Sequence, residues 1–335
     1  MHVEHLLITC PDAGGLVLVS PDRSVMVVNE LDATGLCVYR SGIVRCALDE
    51  KTWSLKLIDW NGRESVLSST GIEDAHDVLY FDSAFYVVSS GTNSIQKVSH
   101  RGELERTYEF PGTGDAWHLN CLAIVNGRIV ACAFGEFANH RGYKGNSMNS
   151  GFLFDLESGS RLWEGLSQPH TPVQDGDRLF VCDSETRRLL VRNPDGTTLE
   201  KTFDGYIRGI AIGTTYAYLG LSCSRNIDTA LYSKTAKLLT LDKQSLEPVG
   251  EIDLPFPEIY AIAVIEPALA TTLQRIAGTM SQKSLLEIRR LRQLLRHAER
   301  VEIELSRLNA HPIVGRVLRI LRFIKRDDEF GALPK

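Results

Sequence analysis

The chain has 335 residues, of which 43% are hydrophobic and 24% charged, a composition typical of a globular protein with a sizeable buried core. Its seven cysteines are odd in number, form no Cys-x-x-Cys pair and mostly lie in apolar runs, which argues against a disulfide framework or a zinc ribbon. The net charge of −5 hides a basic segment, 281–326, with 12 Lys and Arg against 4 Asp and Glu, so the rest is acidic and unsuited to nucleic acid.

The N-terminus lacks a basic stretch followed by a long apolar one, and no window approaches about 18 uninterrupted apolar residues. We therefore expect a cytoplasmic protein with neither a signal peptide nor a membrane span. The first predicted elements are three short strands at 6–9, 15–20 and 25–28, which do not complete a sheet by themselves.

A β-hairpin unit then recurs along the chain. In its clearest copy, residues 115–136, Trp117, His118 and Asn120 precede two apolar runs separated by Asn126-Gly127, which is a strong hairpin signal. Successive units start near 34, 76, 118, 170, 208 and 258, with steps of 42, 42, 52, 38 and 50 residues. This period is typical of four-stranded propeller blades.

Later strands in each unit are predicted from short apolar runs between turn signals. They lie at 42–47, 53–59 and 64–68; 84–89, 95–99 and 104–109; 128–133, 151–155 and 161–164; 178–182, 189–192 and 199–203; and 216–221, 237–241 and 247–252. The sixth unit has only its first strand before helix-like sequence begins near Pro267, so the N-terminal strands are expected to complete it. The sequence predicts an all-β, six-bladed propeller over 1–266, with five or seven blades as the alternatives.

A C-terminal α-helical extension is predicted over 267–335. A short coiled-coil-like helix, 281–309, has apolar residues at alternating spacings of three and four, and 312–326 is a basic amphipathic helix. Through 281–326 the chain is expected to meet a partner helix, a second copy in a homo-oligomer, or the periphery of the inner membrane. The alternative is that these helices pack on the propeller.

The first strands of propeller blades start near one end of the central channel, so polar residues there are expected to converge. They are Thr34, His76, Asp77, His118, Asn120, His170, Arg208, Glu258 and Tyr260. Because His76, His118 and His170 are placed at equivalent positions of consecutive units, they are predicted to bind one divalent metal, Zn, Mn or Fe. The alternatives are a metal-free polar pocket and histidines that only cap turns.

Other residues of this end have predicted roles. Tyr260, Glu258 and Asp77 are the candidates for proton transfer. Ligand contacts are predicted for Arg208, Asn120, Trp117, Tyr206, Arg141, Tyr143 and Arg225, of which Arg208 would hold an anion or pair with Glu258 or Asp77. Arg141 and Tyr143 belong to a long loop, 136–150, and Arg225 to a second, 222–235, and both loops are expected to cover the channel.

Four motifs, W-H-L-N-C-L-A at 117–123, P-H-T-P at 169–172, Y-I-R-G-I-A at 206–211 and P-E-I-Y-A-I at 257–262, carry a family resemblance. They are similar to an uncharacterised family of bacterial six-bladed propellers, a domain of unknown function. Val173 and Ala261 stand where that family has an arginine and an acid, so contacts there are not carried over. The resemblance implies a surface-polysaccharide setting.

Two functions are therefore hypothesised. In the first, the propeller binds an anionic glycan or sugar-nucleotide-like ligand at the channel, with metal-assisted lyase, epimerase or hydrolase chemistry as its enzymatic version. In the second, it is a non-catalytic scaffold that its C-terminal helices dock to a membrane-associated assembly complex. The sequence leaves open whether the protein is an enzyme, because it contains no P-loop, G-x-S-x-G or H-E-x-x-H motif.

Overall fold

A computed structural model describes residues 4–12, 14–40, 42–222 and 235–278, together with some helical positions between 291 and 310. Within these residues the strands form six four-stranded sheets, and neighbouring strands pair antiparallel. The predicted six-bladed β-propeller is confirmed.

In blades 1 to 5 the four strands follow one another along the chain, from the inner to the outer edge of the blade. Blade 1 contains β4 (Asp32–Tyr39), β5 (Gly42–Asp49), β6 (Thr52–Asp59) and β7 (Glu64–Ser68), and blade 2 contains β8 (Ala75–Phe81), β9 (Ala84–Ser89), β10 (Ser94–Ser99) and β11 (Leu104–Glu109). Blade 3 contains β12 (Leu119–Val125), β13 (Arg128–Ala133), β14 (Gly151–Asp155) and β15 (Arg161–Leu166). Blade 4 contains β16 (Pro169–Asp175), β17 (Arg178–Asp183), β18 (Arg188–Arg192) and β19 (Thr198–Thr202), and blade 5 contains β20 (Tyr206–Ile212), β21 (Tyr216–Ser222), β22 (Lys237–Asp242) and β23 (Pro248–Asp253).

Blade 6 joins the two ends of the propeller. Its strands are β24 (Ala261–Ile265), β1 (His5–Cys10), β2 (Gly15–Val19) and β3 (Val25–Asn29), in that spatial order. β1 pairs with β24 from His5↔Ile265 to Thr9↔Ala261. The N-terminal strands therefore complete the last blade, as predicted. Because β1 pairs with β24, that edge of β24 is not left unpaired.

Apolar cores lie between neighbouring blades. Ile8 packs in one buried cluster with Tyr218 and Ile262, whereas Leu7 packs in another with Leu269. Successive side chains of a strand point to opposite faces, so β1 contributes to two cores at once. This is why the apolar run of β1 is buried on both faces.

A β-bulge interrupts the first strand of each of blades 1 to 5 near its start. In every case the register shifts across two residues, and these pairs are Thr34-Gly35, His76-Asp77, Asn120-Cys121, Thr171-Pro172 and Arg208-Gly209. Bulges bend the strand and redirect side chains. Several of the residues that meet around the channel precede or occupy these bulges, among them His76, His170 and Arg208.

One helix, α1 (Pro267–Gly278), follows β24 directly. Leu269 and Leu273 are buried in a cluster with Leu18 and Ile58, so α1 packs on the propeller. The chain divides into two compact units, 1–287 and 288–335, and α1 belongs to the first.

The rest of the predicted extension lies mostly outside the described residues. The described positions between 291 and 310 are helical, and Leu291, Leu294 and Leu305 among them are exposed. The predicted amphipathic helix, 312–326, lies entirely outside them. In the part of the chain that the structure describes, no helix is long and apolar enough to cross a membrane. The partner-helix, oligomer and membrane contacts stay predictions.

Candidate functional site

Side chains from blades 2 to 6 meet around the central channel in a closed ring of contacts, here called the channel ring. It consists of His76, His118, Phe134, His170, Tyr206, Arg208 and Tyr260. The ring-centroid distances are 4.8 Å for His76–His118, 4.3 Å for His118–Phe134, 5.3 Å for Phe134–His170, 5.7 Å for His170–Tyr206 and 5.9 Å for His76–Tyr260. The Arg208 guanidinium lies 5.3 Å from the Tyr206 ring and 4.8 Å from the Tyr260 ring.

The three histidines reach the channel ring from positions that are not equivalent. His76 occupies the bulge of β8, His170 comes directly before the bulge of β16, and His118 precedes β12 altogether. The predicted equivalence is wrong, because residue spacing alone does not show where each strand bulges. The bulge residues of blades 3 and 4 that correspond to His76 are Asn120 and Thr171.

Each imidazole is held through Nδ1 by a hydrogen-bond acceptor. The Nδ1 of His76 lies 2.8 Å from the Asp74 carbonyl oxygen, that of His118 lies 2.9 Å from Asp115 Oδ1, and that of His170 lies 2.9 Å from the Gln168 carbonyl oxygen. Carbonyl and ionised carboxylate oxygens only accept, so these partners assign the proton to Nδ1. In a neutral ring Nε2 is then left with a lone pair.

Burial keeps two of these imidazoles neutral. It lowers the pKa of His76 to about 4, against the opposing charge of Asp74. Burial, reinforced by the charge of Arg208, also lowers the pKa of His170 well below its usual value. Both rings are therefore uncharged hydrogen-bond acceptors at neutral pH.

Asn120 lies at the centre of a small buried network. Its Oδ1 accepts hydrogen bonds from the Tyr260 hydroxyl at 3.0 Å and from the Cys121 thiol at 3.1 Å. Its Nδ2 and the Nε2 of His170 are buried polar atoms that have no hydrogen-bond partner among the described residues. Leaving such atoms unsatisfied costs about 1–3 kcal/mol each, and ligands or solvent commonly satisfy them.

The predicted charged residues are engaged with one another or with the backbone. Arg208 Nη1 lies 3.5 Å from Glu258 Oε2, which agrees with the alternative in which Glu258 is its counter-ion. The two oxygens of Asp77 accept the Val78 and Leu122 N–H groups at 2.9 and 2.8 Å. Burial raises the pKa of Asp77 to about 7, although these N–H groups oppose the shift.

The phenols of the channel ring are hydrogen-bond donors at neutral pH. Burial raises the pKa of Tyr206 to about 12 and that of Tyr260 well above its usual value. The Tyr206 hydroxyl donates to Gln168 Oε1 at 2.8 Å. Proton transfer through Tyr260 would therefore require the loss of a strongly held proton.

Loop 136–150 contacts the channel ring, and Asp115 is its main attachment. The Tyr143 ring lies 4.3 Å from the His118 ring, its hydroxyl donates to Asp115 Oδ2 at 3.2 Å, and Arg141 Nε lies 3.6 Å from the same oxygen. Ser147 continues the contact, since it accepts from Gln168 and donates to Glu185. The loop therefore lies beside His118 and His170.

Of the predicted ligand contacts, Trp117 is not brought to the channel ring. Trp117 is buried in an apolar cluster with Phe152 and Phe154, on the core side of the blade. Arg225 belongs to 223–234, which lies outside the described residues.

Sequence reasoning also missed residues that the structure assigns to this site. Asp115, Phe134, Gln168 and Ser184 were not among the candidates, although they hold or contact the histidines. Asp115 carried the only local signal, an acid three residues before a histidine. Gln168 lies two residues before His170 but holds it through a backbone carbonyl, which residue type does not reveal, and Phe134 and Ser184 come from other turns and strands.

The predicted metal site stays a prediction. In the described part of the chain, no group of three His, Cys, Asp or Glu side chains is placed to hold a metal ion. The rings of His76 and His118 meet edge to face, with an interplanar angle of 84°. A metal shared by the three histidines would need a placement that these side chains do not have among the described residues.

The sequence matches the domain of unknown function DUF4915 over residues 64–273, more than half of the chain. The chain belongs to this family. The DUF4915 region contains the whole channel ring, and each of the four motifs that carry the family resemblance contributes to it, with His118, His170, Tyr206 and Arg208 together, and Tyr260. No curated protein matches the chain.

Solved structures similar to this DUF4915 chain support the fold alone. A chain of a nidogen/laminin complex is 12% identical, with a TM-score of 0.60, over 78% of this chain and 99% of that one. A Bacteroides caccae protein of unknown function has the same identity and coverage, with a TM-score of 0.55. A Bacteroides thetaiotaomicron protein of unknown function is 13% identical, with a TM-score of 0.50, over 64% of each chain.

Proposed function

We propose that this propeller binds a small anionic carbohydrate-like ligand, such as a sugar acid or a sugar nucleotide, at the channel ring. The observation that carries the proposal is that polar side chains from five blades meet there while three of them keep an accessible part. The exposed fractions of the His76, His118 and Arg208 side chains are 12%, 11% and 13%. Such convergent, partly exposed polar groups are typical of ligand sites.

The chemistry of the exposed groups fits a hydroxylated anion. The Nε2 atoms of His76 and His118 are oriented as acceptors, and sugar hydroxyl groups donate hydrogen bonds. Arg208 supplies a fixed positive charge that suits a carboxylate or phosphate. The motif resemblance and this acceptor-rich site together support a surface-polysaccharide setting and lyase, epimerase or hydrolase chemistry there.

Binding of defined sugar acids tests the ligand class. We expect glucuronic acid to bind the wild-type protein at least about tenfold more tightly than glucose in saturation-transfer NMR titrations. Only glucuronic acid has a carboxylate that the Arg208 guanidinium can bind. The Arg208→Gln variant should lose this preference. The Arg106→Gln variant, which removes a guanidinium that is half exposed and far from the ring, should keep it.

If glucuronic acid, galacturonic acid and UDP-glucuronic acid all fail to bind the wild-type protein at about 1 mM, the ligand class is wrong. Equal binding by wild type and Arg208→Gln would remove Arg208 from the site. Thermal unfolding of each variant establishes that it is folded, which matters because Glu258 is buried beside Arg208.

Metal analysis tests the metal-assisted version separately. His76, His118 and His170 would hold Zn, Mn or Fe through Nε2, since each Nδ1 is already bound to an acceptor as in many metal sites, and the metal would supply a Lewis acid. This version expects about one metal ion per chain in protein purified without an affinity tag, and its loss in His118→Ala. Wild-type protein without bound metal would contradict it.

A further inference from the structure

Asp115 and His118 form a closely matched pair beside the channel. Both carboxylate oxygens of Asp115 lie within hydrogen-bond distance of His118 Nδ1, at 2.9 and 3.0 Å. Asp115 is almost fully buried, with 1% of its side chain exposed, whereas 11% of the His118 side chain is exposed. The carboxylate is therefore behind the imidazole, and the imidazole faces the accessible side.

The imidazole of His118 is held in one orientation. Its backbone has a φ of +47°, in the left-handed region that non-glycine residues seldom adopt. The ring packs at 4.3 Å against both Phe134 and Tyr143. Among the described residues none hydrogen-bonds to His118 Nε2, so this atom is open to a ligand.

We propose that His118 is a general base and that Asp115 is the positioning residue that holds it in the Nδ1–H form. The proposal rests on the proposed function, because the base acts on a ligand bound at the channel ring. The proton of a ligand hydroxyl moves to His118 Nε2, and the electron pair of the broken O–H bond stays on the ligand oxygen. The imidazolium that forms keeps Nδ1–H bonded to Asp115, whose negative charge stabilises it.

The other candidate bases in or beside the channel ring are less suited to this step. His76 is anchored on a backbone carbonyl, and the nearest oxygen of the Asp74 side chain is 3.8 Å from its Nδ1. His170 is completely buried, with its Nδ1 shared between Gln168 and Ser184. Asp77 already accepts two backbone N–H groups. Of these candidates in the described part of the chain, only the Asp115–His118 pair combines a buried carboxylate, an ordered ring and an accessible Nε2.

Loop 136–150 takes part in the arrangement through Asp115. Tyr143 donates its hydroxyl to Asp115 Oδ2, and Arg141 lies near the same oxygen, so two side chains of the loop fix the carboxylate against His118. Fixing the orienting acid matters because a general base must hold its lone pair toward the proton it removes. The loop therefore supports the base through Asp115 and also packs the Tyr143 ring against the His118 ring.

The test uses diethyl pyrocarbonate, which reacts with an imidazole nitrogen that has a lone pair. The nitrogen attacks a carbonyl carbon, the new N–C bond forms, the bridging C–O bond breaks, and the ethyl carbonate that leaves takes up the released proton and decomposes to carbon dioxide and ethanol. Peptide mapping by mass spectrometry gives a rate for each histidine. We expect the His118 rate in Asp115→Asn to be at least about tenfold lower than in wild type, because an asparagine amide donates to Nδ1 and moves the ring proton to Nε2.

The matched control is Asp74→Asn, the same substitution beside His76, in which the His118 rate should stay within about twofold of wild type. A second measurement needs no variant: ¹⁵N NMR of the wild-type protein should show the His118 proton on Nδ1. A proton on Nε2, or equal His118 rates in wild type and Asp115→Asn, would overturn the proposal. So would a full metal complement that is lost in His118→Ala, because Nε2 would then be occupied.

These outcomes separate the base from the ligand class. If the reactivity and tautomer results are as expected but the three sugar acids fail to bind, the proposed ligand class fails while the Asp115–His118 pair stands. If the sugar acids bind but the reactivity of His118 does not depend on Asp115, the binding site stands and the general base fails.

Discussion

Ile8→Ala is expected to lower the free energy of unfolding by about 3 kcal/mol, within the range of about 2–5 kcal/mol for such truncations in a packed core. Ile8 is completely buried in β1, where it packs with Tyr218 and Ile262 between blades 5 and 6. The substitution leaves a cavity beside blade 6, the blade in which the N-terminal strands complete the propeller. Urea unfolding at equilibrium measures the loss.

Ile124→Ala is the matched control. The same atoms are removed from a first strand, β12, but the Ile124 side chain is 39% exposed. Its loss should cost less than about 1 kcal/mol, because little apolar surface returns to water. If Ile8→Ala costs no more than Ile124→Ala, the closing strand does not contribute to stability as its packing indicates.

Acidification is expected to destabilise the wild-type protein more than the His76→Asn variant, by about 2–3 kcal/mol between pH 7 and pH 4.5. Burial lowers the pKa of His76 to about 4. Between the usual histidine pKa of about 6.5 and this value the unfolded chain binds more protons than the folded one, so stability falls as the pH falls through that window. Asparagine keeps a donor near the Nδ1 position and removes the titration.

Asp77 has the opposite effect on the pH dependence of stability, and it is present in both the wild-type protein and the His76→Asn variant. Burial raises its pKa to about 7, so its contribution to stability is present at low pH and is lost as the pH rises through about 7. The comparison of wild type with His76→Asn cancels it. His100→Asn, at an exposed histidine, should show the same acid sensitivity as wild type in urea unfolding at the two pH values. An equal loss of stability on acidification in wild type and His76→Asn would contradict the lowered pKa of His76.

The blades could be predicted well because their signals are local. Strands β9 (Ala84–Ser89) and β13 (Arg128–Ala133) have the predicted bounds, since apolar runs between turn residues define a strand within a few positions. The closure by β1 could also be predicted, because a sixth unit with one strand and an N-terminus with three spare strands complement each other. Both predictions rest on the pattern of apolar and turn residues and on the number of strands in each unit.

The candidate site could be predicted only in part. The expectation that residues near the starts of first strands converge is consistent with the contacts among His76, His118, Arg208 and Tyr260. Trp117 is predicted to contact the ligand but packs in the core, because it lies in the turn before β12, where residue spacing does not reveal the direction of a side chain. The metal and the identity of the ligand remain predictions.

The sequence by itself determined the class of fold, the number of blades and the segment that closes the propeller. Strand period, turn residues and repeat length can be recognised from residues that are close together in the sequence. Only the tertiary structure decided which atoms of the site are available. The tautomers of the histidines, the pairing of Arg208 with Glu258 and the position of Asp115 behind His118 depend on partners from other strands and loops. Burial then set the pKa values, and burial is a property of the assembled blades rather than of any single segment.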